Sequence, residues 1–159
     1  MKLKQISQKD QINLKEVYFD SINSINENIY SKEHKFAWAS QAWENHGFEQ
    51  SLTKGKGWKL IENNKTIAFA TRFPSNKLSL FYVRGCYQRR GYGKTILNMI
   101  EKDALNDGLL KLETDASLIS YSLLLKENWE IIRKENIYIK NILFERYKMF
   151  KNLYPIKKK

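Results

Sequence analysis

Only one of the 159 residues is a cysteine, Cys86, so no internal disulfide framework can staple the chain. No apolar run approaches the roughly 20 residues that a membrane-spanning helix needs. The start, Met1-Lys2-Leu3-Lys4-Gln5-Ile6, alternates like a strand and lacks the apolar core of a secretory signal. No linker or internal repeat interrupts the chain. These absences lead to the expectation of a cytoplasmic protein with one continuous domain over residues 1–153 and a basic tail over 154–159. Acidic residues are also scarce, 17 against 28 lysines and arginines, which gives a net charge of +11. Such charge permits acidic ligands or nucleic acid. No helix-turn-helix signature, zinc-ligand spacing or aromatic RNA-binding motif accompanies it, so nucleic acid is not favoured. Lys157-Lys158-Lys159 reads as a solvated terminal run. What remains, 42% hydrophobic and 13% aromatic, is enough for a real core.

The densest information lies in Gln88-Arg89-Arg90-Gly91-Tyr92-Gly93-Lys94. An apolar strand-like run ending Phe81-Tyr82-Val83 precedes it, and a helical pattern begins near Lys94. A strand, a glycine-bearing loop and a helix start together form an anion cradle, because the first helical N–H groups lack internal partners and carry the positive end of the dipole. Gly91 and Gly93 would let a diphosphate approach the backbone. A P-loop would need glycine at position 88, where Gln88 stands. A dinucleotide fingerprint would need glycine at position 96, where Ile96 stands. The pattern that fits is Gln-x-x-Gly-x-Gly, read as Gln88, Gly91 and Gly93, with Arg89, Arg90, Tyr92, Lys94 and Thr95 around it.

That loop resembles the acetyl-CoA loop of the GNAT N-acyltransferase superfamily. Phe81-Tyr82-Val83 resembles the family's fourth strand, Thr114-Asp115-Ala116-Ser117 and Asn128-Trp129 resemble a subgroup pattern, and the segment ending at Met149 resembles the closing strand. Tyr30-Ser31 and Ala37-Trp38-Ala39 resemble the subgroup's second-helix region. The resemblance implies an α/β fold with a mixed central sheet of about seven strands, splayed between the fourth and fifth, with flanking helices. It implies acetyl-CoA as cosubstrate, with backbone of Tyr82 and Val83 pairing with pantetheine and N–H groups from Gln88 to Lys94 holding the pyrophosphate. It further implies direct attack by a primary amine, on a small molecule or a peptide, in a ternary complex. Dimers are common in the family, so a monomer or a homodimer is expected. Rival readings are a catalytically silent acyl-CoA sensor and a protein acting on an RNA-associated substrate.

Secondary structure follows from periodicity and punctuation. Ser7-Gln8-Lys9-Asp10 has the form of a capping box and predicts a helix through Leu14, Val17, Tyr18 and Ile22. A second helix is predicted from Lys32 to Trp43. A hairpin turns at Asn63-Asn64-Lys65 within what reads as a four-strand region. Ile96, Leu97, Ile100, Ala104 and Leu105 share one helical face, and Asp107-Gly108 stops that helix. Leu109 to Thr114 then reads as a buried strand, followed by a helix and two further strands.

Four groups are candidates for the chemistry. A free alkylammonium is almost wholly protonated at pH 7, so the acceptor must lose a proton by desolvation or to a nearby group. Glu113 and Asp115, at the end of the fifth strand, and His34 are candidates to receive it. Asp115 reads equally as a helix N-cap. In the family, a tyrosine four residues before the Gly of Gly-Phe protonates the departing thiolate; here that position is Leu124. Tyr121, nearly one helical turn earlier, is the candidate substitute. Cys86 has no activating base in view and reads as a passive thiol.

Overall fold

The computed structural model describes residues 1–154, so the basic run at Lys157–Lys159 lies outside the described residues. A seven-stranded sheet in the order β1-β2-β3-β4-β5-β7-β6 forms its centre. Its strands are β1 (Lys2–Gln5), β2 (Lys56–Glu62), β3 (Lys65–Arg72), β4 (Lys77–Val83), β5 (Lys111–Ala116), β6 (Glu130–Ile139) and β7 (Ile142–Asn152). Every neighbouring pair is antiparallel except β4–β5. Three strands, β2 to β4, occupy the middle region where four were expected.

Helices cover both faces. On one face α1 (Gln11–Asn23) and α4 (His46–Thr53) bury Leu14, Val17, Tyr18, Phe48 and Leu52 against Phe69 and Leu80. On the other, α5 (Tyr92–Asn106) buries Ile96, Leu97, Ile100 and Ala104 against Leu60, Ala68, Ala70 and Leu112. Leu124 on α6 (Tyr121–Lys126) and Trp129 complete this second layer. Alternation along β3 explains the division, since Ala68 and Ala70 point to one face and Phe69 to the other.

Local chemistry sets the element ends. The N–H of Ser7 donates to the Asp10 carboxylate at 2.8 Å, but the turn that this clamps is a short 3-10 segment, and α1 begins only at Gln11. Ser31 caps α2 (Lys32–Ala39) by accepting from the His34 N–H. The long second helix expected there is broken into α2, α3 (Gln41–Glu44) and α4. Asn45 starts α4 afresh by accepting from the Phe48 N–H at 3.0 Å. Asn63 and Asn64 both have positive φ, at 49° and 60°, which suits a two-residue hairpin. At the end of α5, Gly108 takes φ 83° and the Leu109 N–H returns to the Ala104 carbonyl, so β5 begins at Lys111, two residues later than expected. Asn128 does the same after α6 with φ 67°, and the Trp129 N–H returns to the Leu124 carbonyl at 2.9 Å.

Candidate active site

Strands β4 and β5 pair at Lys77–Glu113 and Leu78–Thr114, and their pairing ends there. The irregularity that parts them is visible on the other side of β4. Thr71 opposes Leu80 and Arg72 opposes Leu78, so Ser79 is an extra, bulged residue. Its hydroxyl lies 3.2 Å from the Thr71 hydroxyl. Beyond the bulge β4 runs on to Val83 along β3 alone, and a wedge opens toward β5.

Which backbone groups face the wedge follows from register. The Arg84 N–H donates to the Ile67 carbonyl at 2.8 Å, which makes those two a hydrogen-bonded pair. Alternation then turns the Tyr82 backbone toward Phe69 and leaves the backbone of Phe81 and Val83 facing the gap. The Val83 carbonyl is taken up by the Gln88 side chain at 3.1 Å. Of the two residues expected to offer backbone here, Val83 turns its backbone to the gap and Tyr82 turns it to β3; Phe81 faces the gap instead. Alternation is legible in a sequence, but its phase relative to a missing partner strand is not.

The loop after β4 is held firmly at its base. The Gly85 N–H donates to Asp20 on α1, and the Arg84 guanidinium donates to the Thr66 carbonyl at 2.7 Å. The Gln88 N–H returns to Gly85, so it is not available to a ligand as expected. From Arg89 through Lys94, the backbone N–H groups make no hydrogen bond among the described residues. Arg89 has φ 60° and Gly91 φ 84°, conformations that curl the chain around this row of donors. A Cβ at Gly91 would meet nothing within 4 Å, so the side of the loop where it would point is open. At Gly93 it would come 3.0 Å from Leu123 and 3.5 Å from Phe81, so this glycine serves close packing of α5 on its neighbours. The cradle thus fits a phosphorylated ligand in a row of exposed donors at a helix start.

The flanking side chains are divided in their roles. Arg90 lies over the Tyr87 ring at 5.7 Å, and Arg89 is exposed. Lys94 reaches Glu127 at 3.6 Å, which links the start of α5 to the end of α6. Tyr92 donates to Glu62 at 3.0 Å, and that hydrogen bond raises its hydroxyl pKa. Thr95 bonds back to the Gly91 carbonyl.

The wedge is lined on the α1 side by Ser21, Ile25, Trp38, Tyr82 and Asp115, and on the α5 side by Phe81, Thr114 and Leu124. Asp115 lies within β5 and is no helix cap; Ser120 precedes α6 instead. Burial alone would raise the Asp115 carboxyl. The Lys77 hydrogen bond at 2.8 Å and the charges of Lys77, Arg146 and Lys148 outweigh burial and hold it below the ordinary carboxylate range. Burial pushes the Tyr82 hydroxyl up to about 12, with a partial offset from Trp38. Glu113 stands on the same sheet face but outside the wedge lining, 3.6 Å from Lys111.

Two candidates sit elsewhere. His34 has both ring nitrogens engaged, with the Ser31 hydroxyl and the Leu143 carbonyl, and bridges α2 to β7. Tyr121 stacks on Tyr147 with ring centroids 4.5 Å apart, and it is not part of the wedge lining. Leu124, only 1% exposed, does line it. A larger depression of about 470 Å³ between α1 and α4, beside Trp43 and His46, contains none of the candidate residues. Among the described residues no group of three or more His, Cys, Asp or Glu side chains is placed to hold a metal, and no helix is long and apolar enough to cross a membrane.

The family profile described as the Acetyltransferase (GNAT) domain matches residues 26–149. No curated protein matches the chain by sequence. Among solved structures, a GCN5-related N-acetyltransferase from Rhodopseudomonas palustris superposes with a TM-score of 0.87 at 24% identity, covering 96% of this chain and 95% of that one. A PaiA N-acetyltransferase from Thermoplasma acidophilum, solved with coenzyme A, gives 0.70 at 19% identity over 96% and 99% of the chains. A ribosomal-protein-alanine N-acetyltransferase from Brucella melitensis gives 0.67 at 15% over 96% and 100%. With a profile match across most of its length and a sheet that parts between β4 and β5, the chain belongs to the GNAT acetyltransferase family, whose members transfer acyl groups from acyl-CoA.

Proposed function

We propose that this protein is an N-acetyltransferase that moves an acetyl group from acetyl-CoA to a primary amine by direct attack in a ternary complex. The observation that carries this reading is the parting of β4 from β5 after Leu78–Thr114, beside a loop whose N–H groups from Arg89 to Lys94 are unpartnered. A pantetheine arm is extended and carries amide groups, so it can add to β4 as a strand would. Phe81 and the N–H of Val83 offer the backbone for that pairing, the Val83 carbonyl being held by the Gln88 side chain. A backbone N–H of this edge then stabilises the negative charge that develops on the thioester oxygen. The loop donors and the Arg89 and Arg90 charges receive the diphosphate.

The acceptor enters from the α1 side, between Trp38, Tyr82 and Ile25. This apolar lining disfavours an ammonium and lowers the amine's pKa. Asp115 stays ionised and is therefore a weak base. Its part is to hold the incoming amine and pass its proton outward; Glu113 lies too far along the strand to share the wedge. Asp115→Asn lowers kcat/KM for amine acetylation by roughly 10- to 100-fold, the value of one charge-assisted hydrogen bond. An unchanged kcat/KM with a folded variant removes Asp115 from the site.

At the position of the family's acid tyrosine, Leu124 fills the wedge and has no proton to give. A thiol with a pKa near 8.5 leaves readily as thiolate near neutral pH, so turnover needs no side-chain acid. Tyr121→Phe, which keeps the stack on Tyr147, therefore leaves kcat within about twofold of the parent, a change of less than ~0.5 kcal/mol in the barrier. A drop of more than tenfold would restore Tyr121 as the proton donor.

The first test is a thermal unfolding scan with and without acetyl-CoA. At about 100 times the dissociation constant, binding adds roughly 2.7 kcal/mol. In a domain of this size that is a shift of about 5–10 °C. No shift would leave the loop as a structural helix start.

A further inference from the structure

The sheet face that carries Asp115 continues past the wedge onto β7 and β6, and it is unevenly charged. Register places Lys148 directly opposite Asp115, with Arg146 two residues along the same face of β7. Across from these on β6 stand Arg133 and Glu135. Lys77, Arg133, Arg146 and Lys148 thus face two carboxylates, Asp115 and Glu135; Glu113, farther along β5, lies beside Lys111. Asp115 holds Lys77 at 2.8 Å and lies 3.8 Å from Arg146. Glu135 holds Arg133 at 3.2 Å and Arg146 at 3.3 Å. Lys148 has no carboxylate within 4 Å among the described residues, although it lies close enough to help lower the Asp115 pKa. Arg146 makes one hydrogen bond, to Glu135, and its buried Nε has no partner among the described residues. A guanidinium has five N–H donors, so most of its capacity is open.

We infer that the acceptor is an amine that also carries a carboxylate, its ammonium drawn to Asp115 and its carboxylate to Lys148 and Arg146. This rests on reading the wedge as the acyl-transfer site. The two ends of such a zwitterion match the two signs that the face presents side by side. A polyamine or a polycationic aminoglycoside meets the surplus cations unfavourably. An exposed surface lysine is mostly a solvating group; Lys148 differs in being half-buried beside the wedge.

The test compares a matched pair of amines, alanyl-glycine and alanyl-glycinamide. Both have peptide α-amino groups, so amine basicity is nearly the same and the carboxylate is the difference. Binding to the full chain saturated with CoA is measured by titration calorimetry at low salt, together with thiol release from acetyl-CoA. The acid binds at least about tenfold more tightly than the amide, the lower range for a charge-assisted contact. Lys148→Glu and Lys148→Met bring the ratio close to one, whereas Lys148→Arg preserves it. Ligand-free melting temperatures identify any variant that has lost its fold. Equal affinities for acid and amide, binding of neither, or a ratio that Lys148→Glu and Lys148→Met leave intact overturns the inference. Thiol release without acid preference sinks the inference and leaves acyl transfer standing. Acid preference without thiol release overturns acyl transfer and leaves the face as a binding site for the zwitterion, not as an acceptor site.

Discussion

Gly91→Asp abolishes the stabilisation that acetyl-CoA gives the parent protein, while Gly91→Asn retains most of it. Gly91 has φ 84°, and Asn and Asp are the residues after glycine that tolerate this region. The two variants have the same shape, so backbone strain cancels between them and charge alone separates them. The row of unpartnered N–H groups from Arg89 to Lys94 surrounds position 91. A carboxylate there would occupy those donors and repel the diphosphate. At a separation of 4 Å near a protein surface, that repulsion is about 4 kcal/mol per charge pair, or roughly a thousandfold in affinity. Titration of acetyl-CoA against both variants is the check. If Asp and Asn bind equally, the diphosphate does not sit on this loop.

The largest stability effect lies away from the wedge. The Arg72 side chain is fully buried and meets Asp103 at 2.9 Å, Asp107 at 2.5 Å and the Ser75 carbonyl. Lys56 closes the network on Asp107 at 2.8 Å. This cluster ties the end of β3 to the end of α5, the two elements between which β4 and the loop are strung. Arg72→Ala leaves the Asp103 carboxylate buried with only Lys56 nearby among the described residues, at 3.6 Å. Removing one member of a buried pair costs about 3–5 kcal/mol. That corresponds to a melting shift of roughly 6–20 °C. Replacing Arg72 and Asp103 together with Leu costs less than Arg72→Ala alone, because no charge is left stranded. A double variant less stable than the single one would contradict this account of the cluster. The pH dependence has a definite sign. The Lys56 hydrogen bond, and then that of Arg72, hold Asp107 below its ordinary pKa. Its contribution is present above the unfolded carboxylate value near 4 and fades as pH falls through the lower folded value. Arg72→Ala flattens that part of the acid limb.

Much of this architecture could be read from the residues. The Asn63-Asn64 turn, the stop at Gly108 and the apolar stripe from Ile96 to Leu105 are local signals, and each element they imply is present. The cradle was legible for the same reason, since Gly91 needs only its own φ and the helix start that follows. Boundaries set by capping were less so. Asn45 restarts a helix that periodicity alone would carry through, and Asp115 looks like a cap until β5 absorbs it. The wedge lining was least legible. It depends on the extra residue at Ser79 and on the phase of β4 against β3, which decides that Phe81 rather than Tyr82 turns its backbone outward. Pairing of distant strands leaves no mark in either strand's own pattern. Lys148 and Arg146 stayed hidden for that reason too, because only the β5–β7 register places them beside Asp115.

Acyl transfer in the wedge is tested most directly by following CoA thiol release from acetyl-CoA with a panel of amines present and absent. The exposed Cys86 adds a fixed background of one thiol per chain. An N-acetyltransferase releases many thiols per chain, at a rate that depends on the amine and falls in Asp115→Asn. Tight acetyl-CoA binding with no amine-dependent release from any member of the panel would instead mark the protein as an acyl-CoA-binding module.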